Sequence, residues 1–137
     1  MRKTNILEKA FPSIINVVVV FLVSQLFLPF TADLIGDKWT FITVFFLYNI
    51  VFLFLDDGRD LGMIVFDTRW AKDYSTLNKV IYAVLATASF STLLFKIWFT
   101  LDLFLINMIV LQLPTVIKTG TTLHGLLAGG MLTETKS

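Results

Sequence analysis

The stretch from Val80 to Ile117 constrains this chain most. Its thirty-eight residues carry two charged side chains, Lys96 and Asp102. As one helix it would reach about 57 Å, nearly twice the roughly 30 Å hydrocarbon thickness of a bilayer. The stretch must therefore fold back, and its two charges mark the reversal. That gives one span over 77–95 and another over 101–117.

Two further apolar runs precede it. Phe11–Phe30 holds twenty residues and no charge, about the length that crosses a bilayer. Pro12 is expected in the first helical turn and Pro29 near the helix end. A cleaved leader would need a small residue three before the cut, and Phe30 stands there, so this run is expected to be kept as a span. Trp39–Leu55 holds seventeen residues with Asn49 as its one strongly polar member. The segment between them, Thr31–Lys38, contains Asp33, Gly36 and Asp37 and reads as a turn. Over the 137 residues, 56% are hydrophobic and 15% charged. A soluble domain sits near 45–50% and about 25%. The expected fold is thus an all-α polytopic membrane protein, a single domain of four antiparallel spans.

Charge sets the orientation. Four spans place both termini and the loop 56–76 on one side. Arg2, Lys3, Lys9, Arg59, Arg69, Lys72, Lys79, Lys118 and Lys136 then face that side, against Lys38 and Lys96 on the other. Nine against two puts both termini in the cytoplasm of a cell membrane. A net charge of +1 offers no basic field for nucleic acid. The absence of cysteine excludes disulfides and thiolate chemistry.

The loop and the tail 118–137 are expected to form a small cytoplasmic cap. In the loop, Phe66, Thr68 and Trp70 alternate with Asp67 and Arg69, which predicts a short extended segment beside Met131–Thr133 of the tail. Ser75 or Thr76 is positioned to cap span three. Thr121 or Thr122 is positioned to cap a short helix over Leu123–Ala128, ended by Gly129 and Gly130.

These two cytoplasmic pieces resemble the motifs of the RDD family of small bacterial membrane proteins. The loop's GRDLGMIVFDTRW is similar to the family pattern GxTLGKxxxGLRVV through Gly58, Leu61, Gly62 and Arg69. The tail's TTLHGLLAGGMLT is similar to RTLHDLLAGTxV through Leu123, His124, Leu126, Leu127, Ala128 and Gly129. With span one, the resemblance covers nearly the whole chain. The family is named for one Arg and two Asp. At those positions this sequence carries Lys9, Asn16 and Gly125. Cation or proton transport has been proposed for some members, so the resemblance implies a transport-related role from which two ionisable groups have been lost.

The remaining polar residues in the spans are Asn16, Gln25, Asn49, Asn107 and Gln112. Buried amides in lipid seek partners, so they read as contacts between helices, with a polar pathway as the functional alternative. Ala83, Thr87 and Ser91, widened by Ala88 and Ser89, form a small-residue face for close helix packing, expected inside the bundle. Asp102 and Lys96 read as a solvated helix end. His124 stands without Cys, Asp or Glu at metal-ligand spacing and reads as a packed tail residue. Trp39 and Trp98 fall at the outer boundary and Trp70 at the inner one. No phosphate loop, nucleophile elbow or paired-carboxylate motif is visible, so no catalytic, cofactor-binding or metal residue is assigned. The expectation is a non-enzymatic, RDD-like membrane protein, transport-related or accessory, in contact with the bilayer. The alternative is a structural subunit whose loop and tail bind a partner protein or a second copy of the chain.

Overall fold

The computed structural model describes residues 2–3, 6–55, 58–95, 97–119 and 121–135. The fold is helical. The order is β1 (Arg2–Lys3), α1 (Ile6–Thr31), α2 (Asp37–Phe54), α3 (Leu61–Val65), β2 (Thr68–Trp70) and α4 (Thr76–Ser91). The last long helix follows as α5 (Asp102–Ile106), a π-helical segment Asn107–Gln112 and α6 (Leu113–Thr119). It is succeeded by α7 (Leu123–Leu127) and β3 (Thr133–Thr135).

Among the described residues, three helices are long and apolar enough to cross a membrane: α1, α2 and Asp102–Thr119. Their outward faces suit lipid. On α1 the exposed residues Leu7, Phe11, Ile14, Val18, Leu22 and Leu26 follow one another at three- and four-residue steps. Water would not tolerate so continuous an apolar stripe.

The expected third span is shorter than its apolar run. Its helix covers 76–91 rather than 77–95. Ser91 and Thr92 end it: their hydroxyls donate to the Ala88 and Ser89 carbonyls, and the backbone tightens into three-residue turns through Leu94. Sixteen residues rise about 24 Å, short of the hydrocarbon thickness. Beyond it, Asp102 organises the reversal. Its carboxylate accepts from the backbone N–H groups of Ile97, Trp98, Phe99 and Leu103. Leu101, at φ 68°, makes the left-handed step that a glycine would ordinarily take. Lys96 lies outside the described residues.

The first helix also departs from expectation. It starts at Ile6, so Pro12 lies inside it rather than in its first turn. A proline there withholds one N–H from the helix ladder. Nearby, Ser13 Oγ donates to the Lys9 carbonyl at 2.8 Å. The α3 segment packs on this part of α1 so closely that a side chain on Gly62 would fall on the Pro12 carbonyl.

Helices α1, α2 and α4 pack in that order. Val20, Ser24 and Thr40 are fully buried, and the Thr31 and Thr40 hydroxyls bond at 2.7 Å to close the first hairpin. Phe21 meets Phe41 edge-on at 4.7 Å, and Phe45 stacks on Phe90 at 4.2 Å. The small face of α4 is buried at Ala83 and Thr87 and half-buried at Ser91. Ala86 and Phe90 widen it; Ala88, expected there, is exposed.

At one end the loop and tail come together as a cap. Its sheet has the order β1-β3-β2, all antiparallel. Thr68 faces Thr135, Arg69 faces Glu134 and Trp70 faces Thr133. Phe66 lies outside the strand because Asp67 takes φ 52°, and the tail strand begins at Thr133 where the expected segment ended. The N-terminal strand has no counterpart in the expectation. Tyr74, Ala128 and Met131 form the cap's core under Trp70, Ile81 and Tyr82. Ser75 caps α4 and Thr122 caps α7.

The contact at Gly62 has a measurable consequence. A Gly62→Ala variant should lose about 1–3 kcal/mol through overpacking, because the obstacle is backbone and cannot rotate away. Unfolding in mixed micelles should show an earlier midpoint, and a midpoint equal to wild type would contradict the close approach of α3 to α1.

Candidate functional site

The last helix meets its neighbours mainly through α6, which touches α1 and α7. Where it stands away from α1 and α4, a cavity of about 610 Å³ remains, within the roughly 300–1,000 Å³ of small-molecule sites. Ile14 and Val18 of α1 and Ile109 of the last helix line it and are at least half exposed, so its mouth lies between those two helices. The deep part is apolar, with Ala86, Phe90, Leu93 and Phe104. The cap end is polar, with Lys9, Asp60, Thr68, Tyr82, His124 and Thr133.

Two hydrogen-bonded chains frame it. In the first, Asn16 Oδ1 accepts from the Tyr48 hydroxyl at 2.7 Å and from the Gly62 N–H at 3.0 Å. The Tyr48 hydroxyl accepts in turn from the Leu61 N–H at 3.2 Å. Asp60 caps α3 by accepting from Met63 N–H at 2.8 Å, and the Asn16 amide and Gly62 N–H also favour its charged form. Burial raises the Asp60 carboxyl above its ordinary value despite these donors and the nearby Arg59 charge. In the second chain, Asn107 Nδ2 donates to Ser89 Oγ at 2.7 Å and Gln112 Nε2 donates to Asn107 Oδ1 at 3.2 Å. Gln112 Oε1 accepts from the Leu123 N–H at 3.0 Å. Residues five apart on an α-helix diverge by about 140°. The π-helical turn, with its five-residue repeat, brings Asn107 and Gln112 together.

The five amides of the spans therefore divide. Asn16, Asn107 and Gln112 join different elements. Gln25 and Asn49 donate to the carbonyls of Phe21 and Phe45 on their own helices. They do not compose one continuous polar track.

Lys9 Nζ donates to Thr133 Oγ1 at 2.9 Å and so ties α1 to the tail. Asn16 meets the loop, not the tail. Gly125 is packed rather than vacant: a side chain there would meet the Thr121 hydroxyl and the Met131 carbonyl. An Asp would not fit this backbone. Among the motif positions, Gly58 offers its carbonyl to Trp70 Nε1 at 2.8 Å, and Leu61, Gly62 and Leu123 engage through their N–H groups. Arg69 lies 3.8 Å from Asp67. Ala128 is buried, Gly129 turns the chain at φ 103°, and Leu126 and Leu127 point outward.

Two buried polar atoms on the cavity wall lack a partner among the described residues, Thr68 Oγ1 and His124 Nδ1. The His124 ring stands edge-on to Tyr82 at 4.9 Å. Burial, helped by the Lys9 charge, lowers its pKa to about 4, so the ring is neutral at pH 7. No three His, Asp or Glu side chains gather as metal ligands among the described residues. Asp60, Tyr48, Tyr82 and Thr68 were not singled out by sequence. The one available signal was the Asp three residues before Met63, a helix-cap spacing.

The His124 environment fixes the sign of a pH effect. Its folded pKa lies below the ordinary 6.5, so the unfolded chain takes the proton first. Stability present above pH 6.5 should fall as the pH drops toward 4, by up to about 3 kcal/mol. Asp60 titrates in the opposite sense. The measurement is thus the difference in unfolding midpoint between pH 7 and pH 5, which should shrink in His124→Gln; an unchanged difference would contradict the buried neutral ring. Compared with protein-family models, with curated proteins and with solved structures, this chain matches none.

Proposed function

We propose that this chain is a non-enzymatic, RDD-like integral membrane protein that binds an amphiphilic ligand between its helices, in a transport-related or accessory role. In this reading α4 is the third of four antiparallel spans. The turns through Leu94 complete its crossing, and both termini and the cap face the cytoplasm. The nine-to-two distribution of basic residues supports that orientation. The observation that carries the function is the cavity itself. It is deep and apolar at midspan, polar at the cap and open toward lipid between α1 and the last helix. Ion movement through the bundle would need a continuous polar track, and the amides provide separate links instead.

A second reading rests on a different observation. α3 and α7 expose Ile64, Val65 and Leu127, with Val65 64% and Leu127 59% accessible. A structural subunit would use that surface of loop and tail against a partner protein.

The test of the first reading is photolabelling with a diazirine-bearing alkyl probe in nanodiscs, mapped by peptide mass spectrometry. Labelling at Phe90, Leu93 and Phe104 should be saturable and competed by excess unlabelled amphiphile. Labelling at Leu22 and Leu26 should grow without saturation. Ala86→Phe, or Met108→Trp at the mouth, should abolish the saturable fraction. Uniform, non-competable labelling would overturn the reading and leave the partner-binding one. Orientation is checked separately, since the chain has no native cysteine. Lys96→Cys should react with an impermeant maleimide in intact cells, and Lys136→Cys should not; the reverse pattern would invert the topology.

A further inference from the structure

We infer that the ligand of this cavity is a single-chain carboxylate amphiphile, a free long-chain fatty acid, with its carboxylate held by Lys9 and Thr68 and its chain along Phe90 and Phe104. This rests on the cavity-binding reading above and adds the head group and the number of chains.

The size sets the chain. At about 30 Å³ for each water-sized group, 610 Å³ holds roughly twenty of them. A methylene is comparable in size, so the space takes one chain of about sixteen carbons with a small head. The walls are largely apolar away from the cap, with Ser89 and Asn49 among them, so the chain points toward midspan and the head toward the sheet.

The hydrogen-bond inventory sets the head. Thr68, Trp70 and Thr133 all line the cavity. They share one face of the β2–β3 ladder: Trp70 is opposite Thr133, and Thr68 is two residues from Trp70. Thr68 and Thr133 are thus diagonal neighbours, about 7–8 Å apart. Lys9 Nζ lies 2.9 Å from Thr133 Oγ1, which places an ammonium and a hydroxyl over the same patch of sheet. An ammonium has three N–H donors, and Thr133 takes one. The Thr68 hydroxyl, on a residue 2% exposed, has no partner among the described residues. The acceptors nearby are already engaged. Asp60 receives the Met63 N–H and lies beside Arg59, and Glu8 has interactions of its own. The cap end therefore holds an ammonium and an unpartnered hydroxyl on one patch of sheet, with the Glu8 and Asp60 carboxylates on the same wall, and a group with two acceptor oxygens is what the ammonium and the hydroxyl together take up. His124 Nδ1, buried on the same wall, adds a neutral partner that can donate in one tautomer.

Native mass spectrometry of the purified chain in micelles provides the test, with hexadecanoate, hexadecylamine, methyl hexadecanoate and a two-chain phosphatidylglycerol as probes. Hexadecanoate should give a saturable one-to-one adduct, and the other three should bind at least about tenfold more weakly, the loss expected for one charge-assisted hydrogen bond. Lys9→Met should weaken hexadecanoate by about tenfold or more and leave the ester unchanged. Lys9→Arg should retain binding, which separates loss of charge from loss of fold. If the amine or the ester binds as tightly as the acid, or if Lys9→Met has no effect, the carboxylate assignment is overturned while cavity binding stands. If phosphatidylglycerol binds as tightly, a lipid chain is the occupant and the free fatty acid is excluded. If no probe gives an adduct sensitive to Ala86→Phe, the cavity-binding reading itself fails.

Discussion

A single carbonyl oxygen, Asn16 Oδ1, sits where three elements meet. It lies on the first long helix, takes the hydroxyl of Tyr48 from the second and takes the backbone of Gly62 from the loop. In an apolar helix an amide without partners is costly, and this one has its oxygen doubly satisfied. The bond to Gly62 requires the loop's backbone to lie against the helix at Pro12, which is why only hydrogen fits there. Once α3 is fixed, Asp60 is placed at its start and Arg59 reaches the carbonyls of Met63 and Thr68 at 3.3 and 2.9 Å. That sets β2, and β2 sets the tail strand that Lys9 grips from above. The cap and the polar end of the cavity both follow from this one acceptor.

The second chain of amides does the corresponding work on the opposite side. The last helix is apolar on its outer face, as Leu105, Ile109, Val110 and Ile117 show. Lipid on that face would exert no pull pressing it against α1. What holds it is directional: Asn107 on Ser89, and Gln112 on the first turn of α7. Directional bonds at two points leave the space between them unfilled, and that space is the cavity.

How much of this was legible in the sequence depends on the length of the pattern. Apolar runs of bilayer length exposed α1, α2 and the last helix to within a few residues, because hydrocarbon thickness sets a floor on run length. Ends were less legible. α1 begins five residues before its apolar run, and the third run outlasts its helix because serine and threonine hydroxyls close the ladder early. The loop and tail were rightly brought together, but strands of two or three residues carry too little alternation to fix a register, and Arg2–Lys3 carries none. Of the candidate site, polar residues inside apolar runs stood out by contrast, as Asn16, Asn107 and Gln112 did. Asp60 and Thr68 sit in a polar loop, where nothing in composition separates a buried acceptor or an orphan hydroxyl from a solvated one. Gly125, the position that resembles a lost carboxylate, is packed against the Thr121 hydroxyl and the Met131 carbonyl, a closeness that no spacing in the sequence reveals.

The π-helical turn of the last helix carries a consequence for how this chain can vary. Such a turn is an α-helix holding one residue more than its pitch accommodates. Deleting one of residues 108–111 would let the ladder revert to α without interrupting the helix. With one residue lost between them, the two amides would stand four positions apart, about 40° around an α-helix and still on one face. The segment is thus a place where a one-residue deletion costs the helix little and still leaves its two amides side by side. Homologues one residue shorter here would keep the amide pair and the same order of helices.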